Sequence, residues 1–123
     1  MYLQNRFYTI LDERQEANGE SMFRIRFDAS HPIFAGHFPG HPIVPGACLV
    51  QIAEELTVRL TGRKGSFTQV RNLKFRQPVT PDQELTFAIQ EKASSSFNFN
   101  LSTLNIPCAS FTATYMCPDT DVQ

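Results

Sequence analysis

The run His31 to Gly46, HPIFAGHFPGHPIVPG, constrains this chain more than any other stretch. It sets three histidines and three glycines among four prolines, and an apolar segment with helical spacing follows at once. Each proline fixes φ near one value and each glycine opens conformations closed to other residues, so this density describes a rigid, irregular loop. Such a loop holds a side chain in one place. His37, between Gly36 and Phe38, is the side chain this reading selects, because imidazole titrates close to neutral pH and both takes and returns a proton.

The elements on either side of the loop set the fold class. Arg6 to Asp12 alternates, and Met22 to Asp28 sets Phe23, Ile25 and Phe27 against Met22, Arg24, Arg26 and Asp28, the period of a half-buried strand. Asn18-Gly19, within Gln15 to Glu20, predicts the hairpin turn between them. From Ala47 to about Leu60, the residues Leu49, Ile52, Ala53, Leu56 and Leu60 fall on one side of a helix that Gly62 ends. Four strand-like runs follow, Phe67 to Phe75, Leu85 to Glu91, Phe97 to Leu104 and Cys108 to Met116, separated by turn signals. One helix and six strands bury their apolar faces most economically as an α+β domain, an antiparallel sheet wrapped around the helix.

At 123 residues the chain is expected to form one domain, residues 1–123. A formal net charge of -1 offers no global attraction to nucleic acid or to an anionic membrane. The polar start and the lack of a long apolar run point to a cytoplasmic protein with no membrane span. Cys48, Cys108 and Cys117 are odd in number and lack C-x-x-C spacing, so neither a disulfide framework nor a zinc site is expected. A metal held by His31, His37 and His41 would need convergent rings. The intervening prolines and the lack of a carboxylate within the loop argue against it.

The element order, with HFPGHPIVPG before the helix and LKFRQPVTPDQEL after it, resembles the hot-dog-fold β-hydroxyacyl-acyl carrier protein dehydratases of the FabZ type. The likeness covers nearly the whole chain. The shorter N-terminal part, without that family's usual opening motif, marks a side branch. The resemblance implies a homodimer or higher homo-oligomer, with a loop histidine of one subunit facing a helix carboxylate of another. It also implies an acyl thioester substrate on the phosphopantetheine arm of acyl carrier protein, with no metal or redox cofactor. His37 would be the base, and Phe34, Phe38, Pro39, Gly40 and Gly46 would line the substrate site. The Gly46 N–H, at the helix N-terminus, suits polarising the thioester carbonyl.

At the position of the family's helix carboxylate stands Gln51, an amide with no titratable proton. Glu55 follows one turn later, about 6 Å along the axis, as though the family's acid and glutamine had changed places. Three readings follow. In the first, His37 works alone while Gln51 holds the hydroxyl. In the second, Glu55 supplies the acid; its alternative is an i, i+4 pair with Arg59. In the third, the chain is a hot-dog thioesterase or a non-catalytic acyl-thioester-binding protein. For an acidic carrier protein, Arg71, Lys74 and Arg76 offer a docking surface.

Overall fold

The alternating strands assemble in the computed structural model into one six-stranded sheet, of order β1-β2-β4-β5-β6-β3. The structure describes residues 3–35, 40–93 and 95–118. The strands are β1 (Tyr8–Gln15), β2 (Ser21–Phe27), β3 (Ser66–Phe75), β4 (Leu85–Ala93), β5 (Ser96–Thr103) and β6 (Ile106–Met116). Every pairing between neighbours is antiparallel. The one α-helix among the described residues, α1 (Gly46–Thr61), lies on the apolar face of the sheet, the hot-dog arrangement that the resemblance implies.

Period-2 alternation sorts the strand side chains. Phe23, Ile25 and Phe27 of β2 point into the core with Phe87 and Ile89 of β4, Phe97, Phe99 and Leu101 of β5, and Phe111 of β6. Leu49, Ile52, Ala53 and Leu56 of α1 meet them at helical spacing. Each buried large apolar side chain contributes about 1.5–3 kcal/mol, so the phenylalanines dominate the core. Gly62 ends α1 in the left-handed region at φ 71°, its N–H donating to the Val58 carbonyl.

Two elements differ from the sequence reading. The first strand begins at Tyr8, not Arg6, because the Leu3 carbonyl accepts from the N–H groups of Arg6 (3.1 Å) and Phe7 (2.7 Å) and closes a turn. Inside the loop a 3₁₀ turn, Pro32–Phe34, is capped by His31, whose Nδ1 accepts from the Ile33 N–H. His31 thus serves as the cap of this turn.

Strand β3 forms one edge of the sheet and leaves Val70, Leu73 and Phe75 exposed. The opposite edge is β1. A register shift between Arg71 and Lys74 bends β3 where it approaches the start of α1.

Candidate active site

The start of α1 is built by the end of the proline-rich loop. Pro45 occupies the N-cap in an extended conformation, and its carbonyl accepts from the N–H groups of Cys48 and Leu49. The Val44 N–H donates to the Val79 carbonyl at 2.7 Å, which fixes the segment against Pro78 and Val79. Gly46 is the first helical residue, and its N–H finds no acceptor among the described residues. A Cβ at Gly46 would lie 2.6 Å from Cζ of Phe75, so the lack of a side chain is what lets that ring cover the helix tip.

Between the Phe75 ring and α1 lies an apolar cleft of about 360 Å³, walled by Ile43, Gly46, Leu49, Pro78 and Val79. Ile43 and Pro78 also line a second hollow of about 560 Å³, together with Gly40, His41 and Pro81. His41 is exposed there, and Gly40 takes a φ of 85° that favours glycine. His37, Phe38 and Pro39 lie outside the described residues.

Gln51 is half-buried on α1, about 7.5 Å along the axis from Gly46. Its Nε2 donates to Oε2 of Glu55 at 2.9 Å. Glu55 is only 6% exposed and accepts three further hydrogen bonds. The Leu3 N–H donates to Oε2 at 2.7 Å, and the Gln4 N–H and the Tyr8 hydroxyl each donate to Oε1 at 3.0 Å. Four donors thus compensate a buried negative group and tie the N-terminal turn to the middle of α1. Burial, and then the neighbouring Glu55 carboxylate, push the Tyr8 hydroxyl well above the usual phenol range, so it stays a donor.

This arrangement revises several expectations. Glu55 does not pair with Arg59; Arg59 donates instead to Oε1 of Glu13 on β1. With both oxygens of Glu55 engaged by two donors each, the carboxylate serves as an internal anchor and is not turned toward the cleft. Glu54, its neighbour, accepts from the Phe67 N–H and fastens α1 to β3. Phe34, expected at the substrate site, is instead buried in a stack on Phe7 with centroids 5.3 Å apart, because the 3₁₀ turn directs its ring inward. Arg71 is half-buried and spends its guanidinium on Gln69, Thr114 and Ser96, which leaves Lys74 and Arg76 as the exposed members of the proposed docking set. Burial pushes the Cys48 thiol up, which lowers its thiolate fraction at neutral pH. Among the described residues, no three His, Cys, Asp or Glu side chains converge as a metal site would need.

Sequence reasoning passed over Tyr8 and the backbone of Leu3 and Gln4. No local pattern marks them, since they meet Glu55 from some fifty positions away.

Comparisons with known proteins agree with this architecture. A family model described as ApeI-like, ApeI dehydratase, matches residues 13–112. A 3-hydroxyacyl-[acyl-carrier-protein] dehydratase FabZ from Gluconobacter oxydans is 33% identical over 98 residues, which cover 71% of this chain and 58% of that relative. The chain therefore spans little more than half that protein's length. Among solved structures, the dehydratase heterocomplex ApeI:P from Xenorhabdus doucetiae superposes with a TM-score of 0.75 at 22% identity, covering 88% of this chain and 96% of the other. A hypothetical thioesterase with coenzyme A from Streptococcus pneumoniae gives a TM-score of 0.62 at 12% identity, over 94% of this chain and 91% of that one. Likeness at these identities speaks to the fold alone.

Proposed function

The chain belongs to the ApeI-like dehydratase family, and on that premise we propose that it removes water from a 3-hydroxyacyl thioester on acyl carrier protein to give the trans-2-enoyl thioester. The observation that carries this reading is the start of α1, where a backbone N–H without an acceptor among the described residues lies in the wall of an apolar cleft. An N–H in that position, reinforced by the helix dipole, stabilises the negative charge that develops on a thioester oxygen.

In this reading His37 takes the C2 proton. The electron pair forms the C2–C3 double bond, and the C3 hydroxyl leaves with a proton returned by the same imidazole, as water. Gln51 orients that hydroxyl and donates no proton of its own, and Glu55 stays out of the proton path. Lacking a dedicated general acid costs about 10² to 10⁴ in rate, which makes a slow dehydratase. The chemistry needs neither metal nor redox cofactor.

The protein would act in the cytoplasm as a homodimer or higher homo-oligomer. The exposed Val70, Leu73 and Phe75 on edge strand β3 support self-association. Lys74 and Arg76 supply positive charge for the carrier protein. A second reading rests on Gln51 in place of an acid: a thioesterase, or a module that binds acyl thioesters without turnover. Incubation with 3-hydroxyacyl-carrier protein separates them by product. Enoyl thioester is the expected result, free carrier thiol identifies a thioesterase, and retention of unchanged substrate identifies a binding module.

A further inference from the structure

Three hollows follow one another from the start of α1 to the open end of the β1–β2 hairpin. The cleft beside Gly46 shares Ile43 and Pro78 with the proline-lined hollow of about 560 Å³, and that hollow shares Ala29 with a third, of about 320 Å³. Ala29 is exposed and small, so it does not wall one off from the other. The third hollow differs in kind, because Asn5, Arg6, Thr9, Arg26 and Asp28 give it polar and charged walls.

Neither Arg6 nor Arg26 makes an ion pair or a side-chain hydrogen bond among the described residues, whereas Arg14, Arg24 and Arg59 each meet a carboxylate. Asp28 accepts from the Ser30 N–H at 3.0 Å and from the Ser30 hydroxyl at 2.6 Å, and its single charge leaves the hollow net positive against two guanidinium groups. Both arginines stand on fixed backbone. Arg26 sits opposite Thr9 in the β1–β2 pairing, and Arg6 belongs to the turn whose Leu3 and Gln4 N–H groups are held by the Glu55 carboxylate. Two like charges at one hollow repel, and an anion between them removes that cost. A phosphate suits them, since a guanidinium meets its oxygens through parallel N–H bonds.

Resting on the dehydratase reading above, we propose that Arg6 and Arg26 bind the phosphodiester of the carrier protein's prosthetic arm, with the pantetheine chain laid along the proline-lined hollow between them and the cleft. About thirteen bonds separate the sulfur of that arm from its phosphorus, a reach of about 15 Å when extended. A thioester at the Gly46 N–H therefore leaves its phosphate well outside the cleft, beyond Arg76, which stands in the cleft wall. The arginine hollow lies one hollow further on. Pro42, Ile43, Pro78 and Pro81 line the space between and offer an apolar bed to the chain's methylene and methyl groups.

The test titrates ¹⁵N-labelled protein with 4′-phosphopantetheine and, separately, with pantetheine, following the backbone amides. The phosphorylated compound is expected to bind at least about 5-fold more tightly, to shift the amides of Thr9 and Arg26, and to lose its advantage in Arg6→Ala/Arg26→Ala and at high salt. Both arginines are exposed, so the double variant should fold, and Arg6→Lys/Arg26→Lys should keep part of the advantage. Equal or absent binding of the two compounds, an advantage retained without the arginines, or phosphate-dependent shifts confined to Lys74 to Gln77 would overturn the proposal. With a 3-hydroxyacyl-carrier substrate, the double alanine variant should raise KM about 5-fold to 20-fold at constant kcat, because the arginines act at a distance from the bond that breaks. An unchanged KM for that substrate contradicts the proposal. If the protein converts no acyl thioester, the dehydratase reading falls, and the titration, which needs no turnover, still decides whether the two arginines hold the phosphate.

Discussion

Replacing Gln51 by glutamate restores a carboxylate at the family's acid position, and the structure predicts a cost that depends on pH. The new carboxylate would stand where Nε2 now meets Glu55 at 2.9 Å, so two negative groups would share one site. At about 4 Å and an effective dielectric constant of about 20, their repulsion is roughly 4 kcal/mol. The folded protein avoids it by keeping one proton on the pair, and a protonated carboxyl donates to Glu55 as the amide does. The unfolded chain gives up that proton above about pH 4.3.

The folded state of the variant thus binds a proton that its unfolded state has lost. Its stability relative to wild type is intact below that pH and falls as pH rises, by about 1.4 kcal/mol per unit, until the pair itself ionises. The expected deficit is about 1 kcal/mol at pH 5 and about 3–4 kcal/mol near pH 7, where the repulsion sets the ceiling. Urea denaturation followed by far-UV circular dichroism at fixed protein concentration measures it, since the chain has no tryptophan for fluorescence. The double variant Gln51→Glu/Glu55→Gln, with one charge removed, should lose the pH dependence. A deficit independent of pH, or no deficit at pH 7, would refute the reasoning by showing that residues 51 and 55 do not share a buried contact.

Tyr8→Phe removes one of the four bonds to Glu55 and should cost about 1–2 kcal/mol at neutral pH. Because the folded-state hydroxyl is held above its ordinary range, wild-type stability should decline as pH rises past about 10, and denaturation between pH 9 and 11 should show a flatter profile for Tyr8→Phe. Gly46→Ala places a Cβ against the Phe75 ring; since Phe75 is 53% exposed the ring can swing aside, so stability should fall by less than about 1 kcal/mol while turnover drops further, and Phe75→Ala should restore part of it. Lys74→Ala with Arg76→Ala should raise KM for carrier-bound substrate in a salt-sensitive way and leave a small pantetheine thioester unaffected.

The strand alternation, the helical spacing from Leu49 to Leu60 and the stop at Gly62 are local patterns, and the sheet and helix follow them closely. The partners of Glu55 were not legible. A helix rule sees Arg59 four residues on, whereas the carboxylate is claimed by Leu3, Gln4 and Tyr8, and Arg59 by Glu13 on β1. Phe34 misled for a related reason, since adjacency to the loop histidine says nothing of the 3₁₀ turn that directs its ring to Phe7. The interchange of amide and carboxylate at 51 and 55 was visible in the sequence. Its consequence, an amide whose nitrogen is committed to an internal anchor, needed the fold.

The dependence of kcat/KM on pH tests most directly whether one imidazole handles the proton while Gln51 only orients. The account predicts a single rising limb in the imidazole range, unchanged in midpoint by Glu55→Gln and lost with His37→Ala. A bell-shaped profile whose alkaline limb disappears in Glu55→Gln would contradict it, because Glu55 would then be the acid.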